Sequence, residues 1–196
     1  EVLSSDPDLE LAYVADEQGI CLVSTSPNMV GRDYKATRDY MRRALGGENV
    51  ISDLAMGITT REPGVFLAGP VRQRDGKLAG VVVLKLKGKV IDRVCLDVSK
   101  DTPQGFAMVI DANEIIISHP DPKRLYHSIG ALSPEVLKQI DPKLQYGVER
   151  IESLGQDDLA MALRQGHNRG YLTGIGANGL PRVAGYARMT ERPWTV

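Results

Sequence analysis

An internal repeat restricts the fold of this chain more than any other feature of its sequence. In each copy an apolar strand ends at an aspartate, Asp16 or Asp111, and a short turn leads into a strand that begins with isoleucine and ends near a serine and a proline. The far ends of the copies match as well, since residues 68–72 resemble residues 184–188. Two matches in the same order favour a duplicated unit. We therefore predict two tandem modules, residues 1–98 and 99–196.

The pattern of apolar and turn-forming residues predicts the elements of each module. Gly46 and Gly47 end a short helix in the first module, and Asp75-Gly76 marks a tight hairpin turn. The unbroken apolar run 79–84 predicts a central strand that is buried on both faces. Ser133 followed by Pro134 predicts a capped helix in the second module. The predicted strands are 11–15, 20–24, 64–72, 78–86, 106–110 and 115–118, and the predicted helices are 39–45, 133–140 and 157–163.

These elements predict an α/β (α+β) fold in which each module is a central antiparallel sheet flanked by helices.

Composition excludes some functions. The formal net charge is −1 and the sequence has no long basic run, so we expect no nucleic-acid binding. No segment has the roughly 20 apolar residues of a membrane span, and the chain starts without a signal sequence. Because it lacks an initiator methionine and stops inside a predicted strand, we interpret it as a domain excised from a longer protein.

The two cysteines and three histidines do not predict a metal or cofactor. Cys21 and Cys95 are far from the CxxC spacing of zinc or thioredoxin-like sites, and His127 and His167 lack ligand-like spacing. We expect both cysteines to lie in the first module without forming a disulfide, as small buried apolar residues. No catalytic residue is predicted, because the nucleophile-elbow and zinc-protease motifs are absent.

Several segments resemble a known family of receptor domains. Residues 57–64, Gly-Ile-Thr-Thr-Arg-Glu-Pro-Gly, are similar to a Gly-Thr-Thr-Ser-x-x-Pro-Gly stretch, and residues 81–86 to a Val-Val-Val-Val-Lys strand. Further matching segments are 30–34, 38–41, 44–47, 124–128 and 193–196. Together they resemble the double-Cache (PAS-like, PDC) extracytoplasmic sensor domains, and most of all those of the C4-dicarboxylate sensor histidine kinases. Ala68 differs, since it stands where those sensors commonly carry serine.

The resemblance implies a function and a cellular location. The chain would be the periplasmic or extracellular part of a bacterial membrane receptor, a sensor histidine kinase that is homodimeric at full length. It would bind a small carboxylate in the first module, and the second module would relay the signal to the membrane. An α-amino acid is a poorer match, because that branch of the family carries an Arg-x-Trp-Tyr motif and the only tryptophan here is Trp194.

The candidate ligand-binding residues all precede residue 96. Arg38 offers a planar fork of donors to a carboxylate, and it stands just before a helix whose first amide groups favour anions; alternatively it pairs with Asp33 or Asp39. Lys85 ends an apolar strand and must reach solvent, an acid or an anionic ligand. Thr59 and Thr60 lie beside a turn, so their hydroxyls either bind the ligand or cap that turn. The candidates are Arg38, Tyr40, Thr59, Thr60, Arg61 and Lys85. For Arg61 the sequence favours a solvated residue of the turn over a ligand contact.

Three other functions remain open from the sequence alone. An enzyme would need chemistry from Ser118 and the polar turn at His119-Pro120-Asp121, which is more typical of a loop after a strand. A metal or haem sensor would use the histidines. A dimerisation module would bind no ligand at all. The output domain is equally open, since a chemoreceptor coil or a nucleotide cyclase suits such a sensor as well as a histidine kinase does.

Overall fold

The computed structural model describes residues 6–100, 105–175, 181–190 and 192–196. It divides into two compact units, residues 1–90 with 144–147, and residues 91–143 with 148–196. The sequence-based boundary lay at 98/99. The elements before residue 101 are β1 (Leu9–Ala15), β2 (Cys21–Ser24), α1 (Asp39–Leu45), β3 (Val50–Ile51), β4 (Ala55–Met56), β5 (Pro63–Arg72), β6 (Leu78–Lys87) and α2 (Lys89–Lys100).

The first unit is built on an antiparallel sheet with the strand order β2-β1-β6-β5-β3, in which β4 also pairs with β5. Buried and half-buried residues alternate along β1, as expected when one face of a strand packs on a core. Helix α1 packs on that face through Tyr40, Met41 and Ala44, and its predicted bounds are confirmed. Gly46 and Gly47 follow directly, and Gly47 has a φ of +99° that suits glycine.

Strand β6 is central, as predicted, because it pairs with both β1 and β5. The prediction that it is buried on both faces is wrong. Val81 and Val83 are fully buried, whereas Val82 between them is 39% exposed. One face of this antiparallel sheet therefore packs on the core while the other is partly open to solvent, and a run of β-branched residues alone does not distinguish the two situations.

The repeat in the sequence corresponds to the same turn in both units. The carboxylate of Asp16 accepts hydrogen bonds from the backbone N–H groups two and four residues later, at 3.0 and 2.8 Å. Asp111 does the same at 2.8 and 3.0 Å. In each copy the backbone N–H of the aspartate also donates to the carbonyl four residues on, at 2.9 Å. The aspartate is thus retained where its side chain satisfies the exposed amides of a hairpin turn.

The elements after residue 105 are β7 (Val109–Ile110), β8 (Ile116–Ser118), α3 (Pro134–Gln139), α4 (Pro142–Gln145), α5 (Asp157–Gln165), β9 (Arg169–Ile175) and β10 (Pro181–Ala187). Of those predicted, β7, β8 and α3 are shorter than expected and α5 is longer. All belong to the second unit except the end of α4, since residues 144–147 are part of the first. Among the described residues of the second unit, the named strands form two antiparallel pairs, β7-β8 and β9-β10. Residues 195–196 join these pairs, because Thr195 exchanges backbone hydrogen bonds with Ile110 at 2.8 Å and Val196 does so with Ala187 at 2.9 Å. The second unit thus has the antiparallel sheet that the repeat predicts. The core of this unit is a cluster of Ile110, Ile116, Ile129 and Ala160.

The helix predictions in the second unit hold. Ser133 accepts a hydrogen bond from the backbone N–H of Val136 at 3.3 Å and so caps α3 as expected. The cysteine prediction holds in part. Cys21 and Cys95 are both buried and form no disulfide bond with each other. They do not lie in one module, however, because Cys95 is on α2 after residue 90 and belongs to the second unit.

Candidate functional site

A small cavity in the first unit collects most of the predicted site residues. It lies between the start of α1, the turn at residues 57–60 and strands β5 and β6. Its polar lining consists of Tyr34, Arg38, Tyr40, Thr59, Thr60 and Lys85. Its apolar lining consists of Leu11, Met29, Ile58 and Phe66. The cavity has a volume of about 10 Å³, which is about the space for one water molecule.

Arg38 lies at the cavity wall and is buried, with 5% of its surface exposed. It is the N-cap residue of α1, but its side chain makes no capping hydrogen bond. Its Nη2 instead donates to the carbonyl of Met56 at 2.6 Å, and the guanidinium lies 5.7 Å from the centre of the Phe66 ring. The backbone at the helix start therefore directs this side chain into the cavity.

The alternative local partners of Arg38 are engaged elsewhere. Asp39 is exposed and pairs with Arg42 at 3.3 Å. Asp33 is exposed, and its carboxylate accepts the backbone N–H of Ala36 at 3.1 Å. The structure thus gives no support to a local ion pair as the role of Arg38.

Three buried polar atoms in the lining have no hydrogen-bond partner among the described residues. They are the Nε of Arg38, the Oγ1 of Thr59 and the hydroxyl of Tyr34. Burying such groups without partners costs about 1–3 kcal/mol each, and more for a charged group. Native structures rarely leave several of these atoms around one cavity. Together they can supply three hydrogen-bond donors to a single small acceptor.

Tyr40 contributes its ring rather than its hydroxyl to the cavity. The hydroxyl is 3.2 Å from that of Tyr13, and the ring stacks on Phe66 with centroids 4.7 Å apart. Burial raises the pKa of Tyr40 to about 12 despite the opposing influence of its hydrogen bond to Tyr13 and of Arg38. Burial also raises the pKa of Tyr13. Both tyrosines are therefore neutral at physiological pH and form an aromatic wall.

Lys85 is fully buried, and its ammonium group is surrounded by oxygen atoms. Its Nζ lies 2.7 Å from a carboxylate oxygen of Glu10, and it donates to Thr60 Oγ1 at 2.7 Å and to the carbonyl of Glu62 at 2.8 Å. Burial lowers the pKa of Lys85, the pair with Glu10 opposes this, and repulsion from Arg38 adds to the lowering. Of the three destinations that the sequence allowed for this lysine, the structure shows an acid.

Two glycines make room for the buried lysine. A Cβ on Gly64 would lie 2.4 Å from the Cε of Lys85 and 2.5 Å from a carbonyl oxygen of β6. A Cβ on Gly57 would lie 2.2 Å from Thr60 Oγ1 and 2.9 Å from the lysine Nζ. Contacts below 3.0 Å force neighbouring atoms to move. Both positions therefore require glycine for close packing around the ammonium group.

Arg61 and Ala68 lie away from the cavity. Arg61 is exposed, with a φ of 55° that turns the backbone after the threonines, and it is absent from the cavity lining. Ala68 is buried in the apolar core beside Val83 and Val50. The serine-to-alanine departure noted in the sequence thus lies in the core and not in the cavity wall.

Sequence reasoning missed Glu10, Tyr34 and Phe66. Tyr34 lies in one of the segments that carry the family resemblance, so that segment was the available signal. Phe66 follows an otherwise ordinary strand pattern, and no motif distinguishes it. Glu10 occupies an ordinary position in the alternating pattern of β1. The sequence does not place it beside Lys85, because that contact depends on the pairing of β1 with β6.

Comparisons with known proteins bear on the fold. No protein-family model matches the chain, and no curated protein matches it either. Among solved structures, the sensor domain of the V. cholerae histidine kinase DctB is 22% identical with a TM-score of 0.69, covering 99% of this chain and 72% of its own. The chain has the fold of a bacterial receptor sensor domain. The sensor-domain fold that the sequence resemblance implied is thereby confirmed.

Two chemoreceptors share this sensor-domain fold. The ligand-binding domain of Campylobacter jejuni Tlp3, solved with 4-methylisoleucine, is 15% identical with a TM-score of 0.63, and the match covers 98% of this chain and 65% of that one. The corresponding domain of the Pseudomonas aeruginosa PAO1 amino acid chemoreceptor PctC, solved with GABA, is 17% identical with a TM-score of 0.61 and coverages of 99% and 74%. The same fold therefore occurs in kinases and in chemoreceptors.

Among the described residues, no cluster of three or more histidine, cysteine, aspartate or glutamate side chains is placed to hold a metal ion. No helix within the described ranges has the length and apolar character needed to cross a bilayer.

Proposed function

We propose that this chain is the ligand-sensing, extracytoplasmic domain of a bacterial transmembrane receptor and that the cavity of its first unit binds a small carboxylate on Arg38. The observation that carries the proposal is the set of unpartnered polar atoms on Arg38, Thr59 and Tyr34 in one cavity wall. A buried guanidinium without an anion is costly, and a carboxylate satisfies it with charge-assisted hydrogen bonds. The fold shared with receptor sensor domains supports the sensing role.

The apolar part of the cavity favours a short carbon chain on the ligand. Phe66, Leu11 and Met29 contribute apolar side chains to the lining. The cavity has a volume of only about 10 Å³, so the turn at residues 57–62 must move to make room for a ligand. That turn is held partly by the Lys85 hydrogen bonds to Thr60 and Glu62. Ligand binding would therefore be coupled to a change in the position of the turn.

An amino acid is the second candidate, because two receptors with this fold were solved with an amino acid derivative and with GABA. An ammonium group needs an acidic or carbonyl acceptor. The charged residues that line the cavity are Arg38 and Lys85, which are both cations. The cavity lining therefore has cations to bind the carboxylate of such a ligand but no acidic side chain to accept its ammonium group.

The remaining parts of the proposal follow the resemblance. The full-length protein is a membrane-anchored homodimer, most consistent with a sensor histidine kinase, and residues 99–196 relay the binding event to the membrane. A thermal-shift screen of small mono- and dicarboxylic acids and amino acids tests the ligand class. An acid present at about 100 times its Kd stabilises the fold by about 2.7 kcal/mol, which raises the Tm by about 5–11 °C for a chain of this length.

The matched variants are Arg38→Ala and Arg61→Ala. Arg38→Ala should remove the shift, because loss of a buried charge partner costs about 2–5 kcal/mol of binding. Arg61→Ala should leave the shift intact, because Arg61 is exposed outside the cavity. Equal shifts in both variants, or a shift with amino acids alone, would contradict the carboxylate proposal.

A further inference from the structure

Lys85 is already engaged by oxygen atoms of the first unit. An ammonium group carries three N–H donors and no acceptor. Two of them donate to Thr60 Oγ1 at 2.7 Å and to the carbonyl of Glu62 at 2.8 Å. The ammonium group also forms an ion pair with Glu10, whose Oε2 lies 2.7 Å from Nζ without hydrogen-bond geometry. The charge of the second cation of the cavity is therefore compensated within the first unit, whereas Arg38 has no such acid and retains a buried Nε without a partner among the described residues.

Glu10 also changes the charge balance of the site. Its side chain is only 16% exposed, and it lies on β1, the strand that pairs with the lysine-bearing part of β6. Its negative charge offsets that of Lys85, so Arg38 alone remains uncompensated beside the cavity. A ligand with one carboxylate brings this group of charges to neutrality. A dicarboxylate would leave a second buried negative charge without a donor, which is strongly unfavourable.

From this geometry we infer that Glu10 determines specificity: its carboxylate occupies the place at Lys85 that the second carboxylate of a ligand would need, and so restricts the site to monocarboxylates. The inference rests on the proposed function and narrows its ligand class. Discrimination by an element that disfavours the competing ligand is a common means of specificity. The same element is removable by one substitution.

The test is isothermal titration of the chain with propionate and with succinate at pH 7. For the wild-type chain we expect propionate to bind at least about tenfold more tightly than succinate. Glu10→Gln keeps the shape of the side chain but removes its charge, which leaves Lys85 available to a second carboxylate. In that variant the ratio of succinate to propionate affinity should rise by about tenfold or more.

Glu62→Gln is the matched control. Glu62 is exposed, and it contacts Lys85 through its backbone carbonyl, which the substitution leaves in place. The affinity ratio should therefore stay at the wild-type value. A ratio that is unchanged in Glu10→Gln, or that rises equally in Glu62→Gln, overturns the role of Glu10.

The outcomes separate this inference from the proposed function. If propionate binds in an Arg38-dependent manner and Glu10→Gln leaves the ratio unchanged, only the role of Glu10 fails. If the wild-type chain binds succinate as tightly as propionate, the role of Glu10 also fails, and this comparison needs no variant that must fold. If neither acid binds to the wild-type chain or to Glu10→Gln, the proposed carboxylate site fails together with it.

Discussion

Replacing Lys85 with methionine tests the energetics at the centre of the first unit. Methionine keeps the length and the apolar stem but leaves the carboxylate of Glu10 without its cation. Removing one partner of a buried ion pair costs about 3–5 kcal/mol. Because the Glu10 side chain remains 16% exposed and can be hydrated, we expect the low end, about 3 kcal/mol. For a chain of this length the Tm should fall by about 6–12 °C.

Two further variants make this prediction specific. Lys87→Met removes an exposed lysine two residues later on the same strand and should change the free energy of unfolding by less than about 0.5 kcal/mol. Lys85→Met combined with Glu10→Leu should recover most of the loss, since apolar replacements of buried pairs are often neutral or stabilising. Urea unfolding followed by circular dichroism measures all three. A double variant that is as unstable as Lys85→Met would refute the reasoning.

Three other properties follow from the structure. Burial raises the pKa of Tyr40 to about 12 and also raises that of Tyr13. The folded chain therefore favours the neutral form of both side chains, so their contribution to the free energy of unfolding is complete below about pH 10 and is lost as the pH rises toward about 12. If all seven tyrosines titrated near pH 10 in the folded chain, this prediction would be contradicted. Gly64→Ala should lower the free energy of unfolding by about 1–3 kcal/mol through overpacking. Gly174→Ala should not lower it, because a Cβ at that position meets open space. Calorimetry measures both effects. Thiol titration under denaturing, non-reducing conditions should find two reactive thiols per chain, and zero would indicate a disulfide.

Local signals made much of the first unit predictable. The hairpin at Asp16 depends on side-chain hydrogen bonds within four residues, and the end of α1 depends on Gly46 and Gly47. Interactions between residues close in the sequence leave residue-type signatures, and these were sufficient. Strands β9 and β10 were missed because glycine and exposed polar residues interrupt any alternating pattern there.

The site was only partly predictable, because its key contacts join residues far apart in the sequence. Arg38, Thr59 and Lys85 meet at one cavity as expected, but the ion pair of Lys85 with Glu10 joins two neighbouring strands of the sheet that lie far apart in the sequence. Arg61 was a candidate for which the sequence favoured a solvated turn position, and the turn of the backbone at that residue does carry its side chain to solvent. Sequence proximity in a turn does not fix the direction of a side chain.

The most direct test of the account is a crystal structure of the chain with the acid that gives the largest thermal shift. The account predicts electron density for the acid in the cavity of the first unit, with its carboxylate about 2.7–2.9 Å from the guanidinium nitrogens of Arg38 and within hydrogen-bond distance of Thr59 and Tyr34. The pair between Lys85 and Glu10 should persist in that complex. A ligand bound only between residues 127 and 188, with the first cavity unchanged, would contradict the central claim.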